Sequence, residues 1–221
     1  MKRNISPERR AQIGQEKRAR TRSTILAAAF DLLGRERGRS TRIDEICQAS
    51  GISHRTFYNY FSSTEELFDA LTFEISHDFN TAVLEIISAM RPGAERTAAA
   101  LRYYLHRTCE DRAWGWAMVN LSTAGPIFGA ETFRHASASI QEGIDSKEFV
   151  LADPAIGRDL MMGAVLASMI TLLRNDLPAA YPEAVVRQIL VGLGVRPEII
   201  EHCVSAPLPD PRLHAPAAKV A

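Results

Sequence analysis

Apolar residues return every three or four positions in one segment after another, and Val, Ile, Thr and aromatic residues nowhere alternate with polar ones long enough to form a strand. That period predicts an all-α chain. Breakers then divide it. Ile25, Leu26, Ala29, Phe30 and Leu33 form one stripe, on a helix expected to run to about Glu36 and to end by Gly38. A short helix is expected over 41–50, burying Ile43, Ile46 and Cys47, with Gly51 as its left-handed cap. Ser53 should cap the next, from His54 to about Tyr60, and Ser63 with Glu66 should form a capping box opening a fourth that stops near Met90. Further helices are expected over 94–112, 113–123, 130–144, 154–175, from Tyr181 to about Leu193, and over 197–204.

The formal charge is zero, from 26 Lys+Arg and 26 Asp+Glu, but it is unevenly placed. Residues 1–60 carry 13 Lys/Arg against 6 Asp/Glu, so a basic head sits on an equally acidic body. That split suits a chain whose one end meets a polyanion. Cys47, Cys109 and Cys203 lie far apart, supporting neither a disulfide framework nor a zinc site. The basic N-terminus has no signal-like apolar stretch, and the run Leu160–Leu173, 14 residues, falls short of the roughly 18 of a membrane span. A cytoplasmic protein without membrane association is expected.

The strongest functional signal is TRIDEICQASGISHRTFYNYF, residues 41–61. A short helix, a turn containing Gly51 and a second short helix make the pattern of a helix-turn-helix, whose second helix enters the major groove. Phe57 and Phe61, four apart, should face inward. The opposite face offers Arg55 and Asn59, which can pair bidentately with guanine and adenine. Thr41, Arg42, Ser53, His54, Thr56, Tyr58 and Tyr60, with Arg18, Arg20 and Arg22 upstream, are the further candidates for contact with DNA, chiefly its phosphates.

Residues 20–70 resemble the N-terminal domain of the tetracycline-repressor (TetR) family of bacterial regulators. The likeness lies in the apolar first helix, Arg42–Ile46, the turn Ser50-Gly51-Ile52-Ser53, the block Thr56–Phe61 and the trailing Ser63–Leu67. Arg42 stands where the family often has a capping Thr, which would move the cap to Thr41; Arg55 replaces a frequent Gly, and Thr64 a common Lys. The resemblance implies an all-helical homodimer that binds a double-stranded operator and releases it when a small molecule binds the second domain. The expected organisation is a flexible basic arm (1–19), the DNA-binding domain (20–62), an effector-binding and dimerisation domain (63–204) and a Pro-rich disordered tail (205–221).

In the second domain, Phe79, Tyr103, His106, Trp114, Trp116, Met118, Phe128, Phe133 and Met162 are candidate effector contacts, because pockets in helical bundles are mostly apolar with a few placed polar groups. Asn120, Ser122 and His135 could add polar groups, and Met161 and Met169 soft ones. The nearly all-apolar 154–175 helix and the following one are the expected dimer elements, through Leu160, Gly163, Ala164, Ala167, Thr171, Val186, Ile189, Leu190 and Leu193. No nucleotide-binding, hydrolase or metalloprotease motif occurs, and His106 and Cys109 lack a second ligand pair, so neither enzyme activity nor a metal or other cofactor is expected. Two alternatives stand beside the ligand-released repressor. One is a regulator controlled by a protein partner or by its own abundance; the other is a helical enzyme or metal protein.

Overall fold

A computed structural model describes residues 6–123 and 125–210 of the 221-residue chain. Ten α-helices follow one another: α1 (Pro7–Leu33), α2 (Ile43–Ser50), α3 (His54–Tyr58), α4 (Thr64–Ser88), α5 (Ala94–Glu110), α6 (Arg112–Leu121), α7 (Gly129–Asp145), α8 (Pro154–Arg174), α9 (Tyr181–Gly192) and α10 (Pro197–Ser205). Among the described residues there is no strand.

The helix ends correct several expectations. The basic arm is helical from Pro7 rather than flexible: the Ser6 hydroxyl accepts from the Arg9 amide at 3.3 Å, and proline follows at the first helical position. Residues 1–5 lie outside the described part. At its far end α1 stops before Gly38, with the Gly34 amide donating to the Phe30 carbonyl at 2.7 Å. Gly38 instead opens a 3₁₀ turn, packed so closely that a Cβ there would lie 2.6 Å from the Leu33 carbonyl oxygen. The cap of α2 is Arg42 and not Thr41, because the Glu45 carboxylate reaches back to accept from the Arg42 amide at 2.8 Å. Gly51 closes α2 at φ 67, the left-handed conformation a β-carbon disfavours.

At α4 the box is shifted by one residue. The Ser63 hydroxyl accepts from the Glu66 amide at 3.1 Å, but Glu66 reaches back to Ser62, accepting from both its amide and its hydroxyl at 2.6 Å. Two donors on one carboxylate oxygen favour Ser62 over the lone Ser63 amide.

Two large apolar cores result, with a smaller third cluster of Val83, Ile86 and Ile87 of α4 against Ala99 and Tyr103 of α5. The first joins Ile25, Leu26, Ala29 and Leu33 of α1 to Ile46, Phe57 and Phe61, and it also takes Leu67 and Leu71 of α4 with Ala117 and Leu121 of α6. It therefore extends past the expected boundary at 62/63. The second, larger core is built from α5–α10 around Leu105, Met118, Ile140, Met169 and Leu190. Helix α6 feeds both large cores, and α4 reaches the second through the half-buried Ile75 and Phe79. The Asn120 side-chain amide fastens them, donating to the carbonyls of Leu33 at 2.8 Å and Arg35 at 2.9 Å.

By length and composition α8 could cross a membrane, at a mean hydropathy of 1.5. One face of it packs in the bundle against α5, α6, α7 and α9, which accounts for the apolar residues on that face, while Ile156 and Leu160 stay exposed. The start of the predicted tail is docked, not loose: the Arg102 guanidinium donates to the Ala206 carbonyl at 2.7 Å, and the Tyr103 hydroxyl to that of Pro209 at 2.7 Å. Residues 211–221 of that tail lie outside the described part.

Candidate functional site

The turn between α2 and α3 is fixed from both sides. Phe57 is fully buried, and the Ser53 hydroxyl accepts from the Thr56 amide at 3.1 Å and pairs with the Thr56 hydroxyl at 3.0 Å. His54 Nε2 meets Asp44 Oδ1 at 2.6 Å, tying α3 to α2. Ser53, His54 and Thr56 thus already hold intramolecular partners. The side chains of Arg55, Tyr58 and Asn59 are exposed, Tyr58 by 54%. Beyond Tyr58 the helix tightens: the Asn59 and Tyr60 amides donate to the carbonyls of Thr56 and Phe57, which ends regular α-helix two residues before the expected Tyr60.

Arginines of α1 hold this end. The Arg18 guanidinium donates to the Asn59 carbonyl at 3.1 Å and lies 5.4 Å over the Tyr60 ring, while that of Arg22 lies 5.5 Å over Phe61. Arg20 and Arg42 are exposed, and Thr41 is half-buried at the start of α2. The predicted DNA-contact residues therefore lie on α2 and α3, beside them, and on the stretch of α1 whose Arg18 and Arg22 meet residues 59–61, with Arg55, Tyr58 and Asn59 exposed.

A cavity of about 80 Å³ lies among α4, α5, α7 and α8. Of the predicted effector contacts, Phe128 and Met162 line it, as do Met161 and His135. Phe79, Tyr103 and His106 instead line an open cleft of about 770 Å³ between α4, α5 and residues 208–210. His106 there is held by Glu183 of α9 at 2.8 Å. Trp114, Trp116 and Met118 belong to the core, because α6 is enclosed by its neighbours; Trp114 Nε1 donates to the Ile75 carbonyl of α4 at 2.9 Å. Phe133 is half-buried under the Arg158 guanidinium, 4.3 Å above its ring. Met169 is core, and Ser122 serves the turn before α7 by accepting from the Phe128 amide at 3.0 Å. Phe128 itself has φ 60, a conformation a non-glycine residue holds only where packing enforces it.

The cavity's polar groups were missed by counting aromatics. Asn80, Thr97, Tyr104 and Thr132 line it. The Tyr104 hydroxyl donates to Asn80 Oδ1 at 2.7 Å, the Asn80 amide donates to Thr132 Oγ1 at 3.0 Å, and the two hydroxyls lie 3.1 Å apart. Burial pushes the Tyr104 phenol well above its usual range, so it stays neutral. A positional signal exists for Thr97, which is polar between Ala94, Ala100 and Leu101 on its helical face, whereas Asn80 follows the buried polar residues Thr72 and Ser76 at four-residue spacing.

The predicted dimer residues divide by orientation. Val186, Ile189, Leu190 and Leu193 are buried within this single chain, packing α9 onto its own core, and so are not available to a partner. Leu160 is 42% exposed, Ala167 is exposed, and Gly163, Ala164 and Thr171 are half-exposed. The outward stripe instead includes Ile156 at 60% and, on α9, Val191 at 56%. A four-residue stripe has two flanks, and packing selected the opposite one on α9.

A helix-turn-helix head carried on a helical body with an internal cavity defines a helix-turn-helix transcriptional regulator. Residues 25–71 match the family described as bacterial regulatory proteins, tetR family, and residues 92–204 match the tetracyclin repressor-like C-terminal domain. The chain belongs to the TetR family of transcriptional regulators. No curated protein matches it significantly. Among solved structures it is similar to RolR in complex with its ligand resorcinol, at 25% identity over 89% of this chain and 98% of that one, with a TM-score of 0.71. It shares its fold with FadR from Bacillus subtilis in complex with stearoyl-CoA, at 19% identity over 77% and 96% of the two chains, TM-score 0.60. It also shares it with a gamma-butyrolactone receptor, at 19% identity over 84% and 97%, TM-score 0.53. The FadR neighbour is a transcriptional regulator.

Proposed function

We propose that the protein is a homodimeric, sequence-specific DNA-binding repressor, released from a pseudo-palindromic operator when a small apolar or aromatic ligand enters the cavity among α4, α5, α7 and α8. The observation that carries this reading is α3, projecting Arg55, Tyr58 and Asn59 outward beside an arginine-rich α1. Arg55 and Asn59 read base edges in the major groove. Arg18, Arg20, Arg22, Thr41, Arg42, Tyr58 and Tyr60 approach the phosphates, with Ser53, His54 and Thr56 at the leading end of the helix. Arg18 would do so from its place on the Asn59 carbonyl. Dimerisation uses the outward face of α8 and α9, through Ile156, Leu160, Gly163, Ala167 and Val191. A two-fold pair then presents two α3 helices to half-sites about one helical turn apart.

Release follows from α4. Its first turns belong to the core under α3 through Leu67 and Leu71, and its later turns line the cavity through Val83 and Ile87. A cavity of about 80 Å³ is small beside the roughly 150 Å³ that accommodates benzene. A ring entering it displaces the α4 wall and alters the spacing of the two recognition helices. The small aromatic ligand in RolR supports an effector of this size. Selection of bound sites from random duplex DNA at defined salt tests the reading. A two-fold repeated half-site is the expected result; equal, salt-insensitive binding to every duplex would overturn it.

A further inference from the structure

The Thr97 hydroxyl poses a specific problem. Thr97 is 1% exposed, its Oγ1 has no hydrogen-bond partner among the described residues, and the residue lines the cavity. A buried hydroxyl without a partner is destabilising, and in native structures it commonly signals a group supplied from outside. Across the same cavity, the Tyr104–Asn80–Thr132 set satisfies itself internally, so it does not account for Thr97.

The charge of the lining is equally informative. None of its residues is Lys, Arg, Asp or Glu; its remaining polar members are His135 and Ser139. An ammonium entering here would lose hydration with no carboxylate to meet it, and a carboxylate would find no Lys or Arg and could gain a counter-charge only by protonating His135. The rest of the wall is apolar, including Leu101, Phe128, Met161 and Val165. The small volume, about 80 Å³, favours a single ring to which the α4 wall yields over anything larger.

We infer that the cavity takes an uncharged, monocyclic aromatic ligand bearing hydroxyl groups, with Thr97 as its hydrogen-bonding anchor. This rests on the reading of the cavity as the effector site. It adds a chemical class, a charge requirement and a residue that sets specificity. Recognition by a buried polar group discriminates strongly, because an analogue lacking the hydroxyl leaves Thr97 unpaired again.

The test is direct titration of the purified full-length protein, by calorimetry, with phenol, catechol, resorcinol and hydroquinone, and with toluene and benzoate as controls. At least one hydroxylated ring is expected to bind about tenfold or more tightly than either control, the effect of roughly one charge-independent hydrogen bond. Thr97→Val should weaken that binding about tenfold while leaving toluene unchanged and raising the melting temperature of the ligand-free protein, since an orphaned hydroxyl is removed. Thr97→Ser should retain the preference for hydroxylated rings. A purely structural Thr97 would move stability and binding in the same direction. Equal or tighter binding of benzoate or toluene, no binding of any hydroxylated ring, or an unchanged preference in Thr97→Val would each overturn the inference. Operator release is measured separately, by fluorescence anisotropy. Binding without release would leave this site assignment standing and defeat the release mechanism; release by benzoate alone would do the reverse.

Discussion

Arg55 stands exposed on α3 and, among the described residues, has no ion pair such as the one that holds its neighbour His54. If it reads guanine, Arg55→Ala should cost about 1–3 kcal/mol and relax preference at a single base pair, measured by anisotropy against operator variants. A uniform loss on all sequences would make it a phosphate contact. Arg20, exposed on α1, should act the other way: Arg20→Ala is expected to flatten the salt dependence of binding, and an unchanged slope removes it from the interface. Glu66 is a third residue with a defined signature. Hydrogen bonds from the Ser62 side chain and then its backbone hold the Glu66 carboxyl below its ordinary range. A carboxylate lowered in the folded state contributes stability above its unfolded value, and that contribution is lost as pH falls through the folded one. Glu66→Gln should therefore lower the melting temperature near neutral pH, and the difference from wild type should shrink on acidification from about pH 6 to about pH 3. A constant difference would show that the α4 cap does not depend on the charge.

Among the elements, α5 and α9 are joined by one acidic side chain. Glu183 accepts from Arg102 Nε at 3.3 Å and pairs with His106 at 2.8 Å. Desolvation raises its carboxyl, but the bonds from His106 and Arg102 more than offset this and leave it below the usual range. Glu183→Ala strands a largely buried Arg102, so a loss of about 1–3 kcal/mol is expected, read as a melting-temperature drop of several degrees. The carbonyls of Cys203 and Ala206 still hold that guanidinium, which argues against the larger cost of a fully unpaired buried charge. The link between α6 and α4 is the Trp114 indole on the Ile75 carbonyl. Trp114→Phe keeps most of the packing and removes that donor.

For the whole molecule, the exposed apolar stripe on α8 and α9 sets the quaternary prediction. Ile156, Leu160 and Val191 are each large, apolar and exposed in the single chain. Leu160 also packs beside Gly192, where a Cβ would lie 2.8 Å from its Cδ2, so the two helices form one surface. Leu160→Glu should produce monomers in sedimentation experiments and weaken operator binding without altering helicity by circular dichroism. A charged side chain at the centre of an apolar interface cannot be solvated there. Dimers that persist in this variant would place the interface elsewhere.

Much of this architecture follows from local chemistry. The helical period, the breakers at Gly51, Arg91-Pro92-Gly93 and Asp153-Pro154, and the aromatic anchors Phe57 and Phe61 define the succession of helices and the exposed face of α3, because each acts within a few residues of itself. Orientation did not follow from them. Val186 and Leu190 carry the same stripe whether α9 faces its own core or a second subunit, and only packing against α5, α8 and α10 turned them inward. Trp114 and Trp116 looked like pocket aromatics, but the enclosure of α6 made them core, while the cavity took shape where α4 and α5, which carry Asn80 and Thr97, met the later helices α7 and α8. Helix formation is a property of neighbours along the chain. A cavity and a free surface are properties of what is left when the helices have packed.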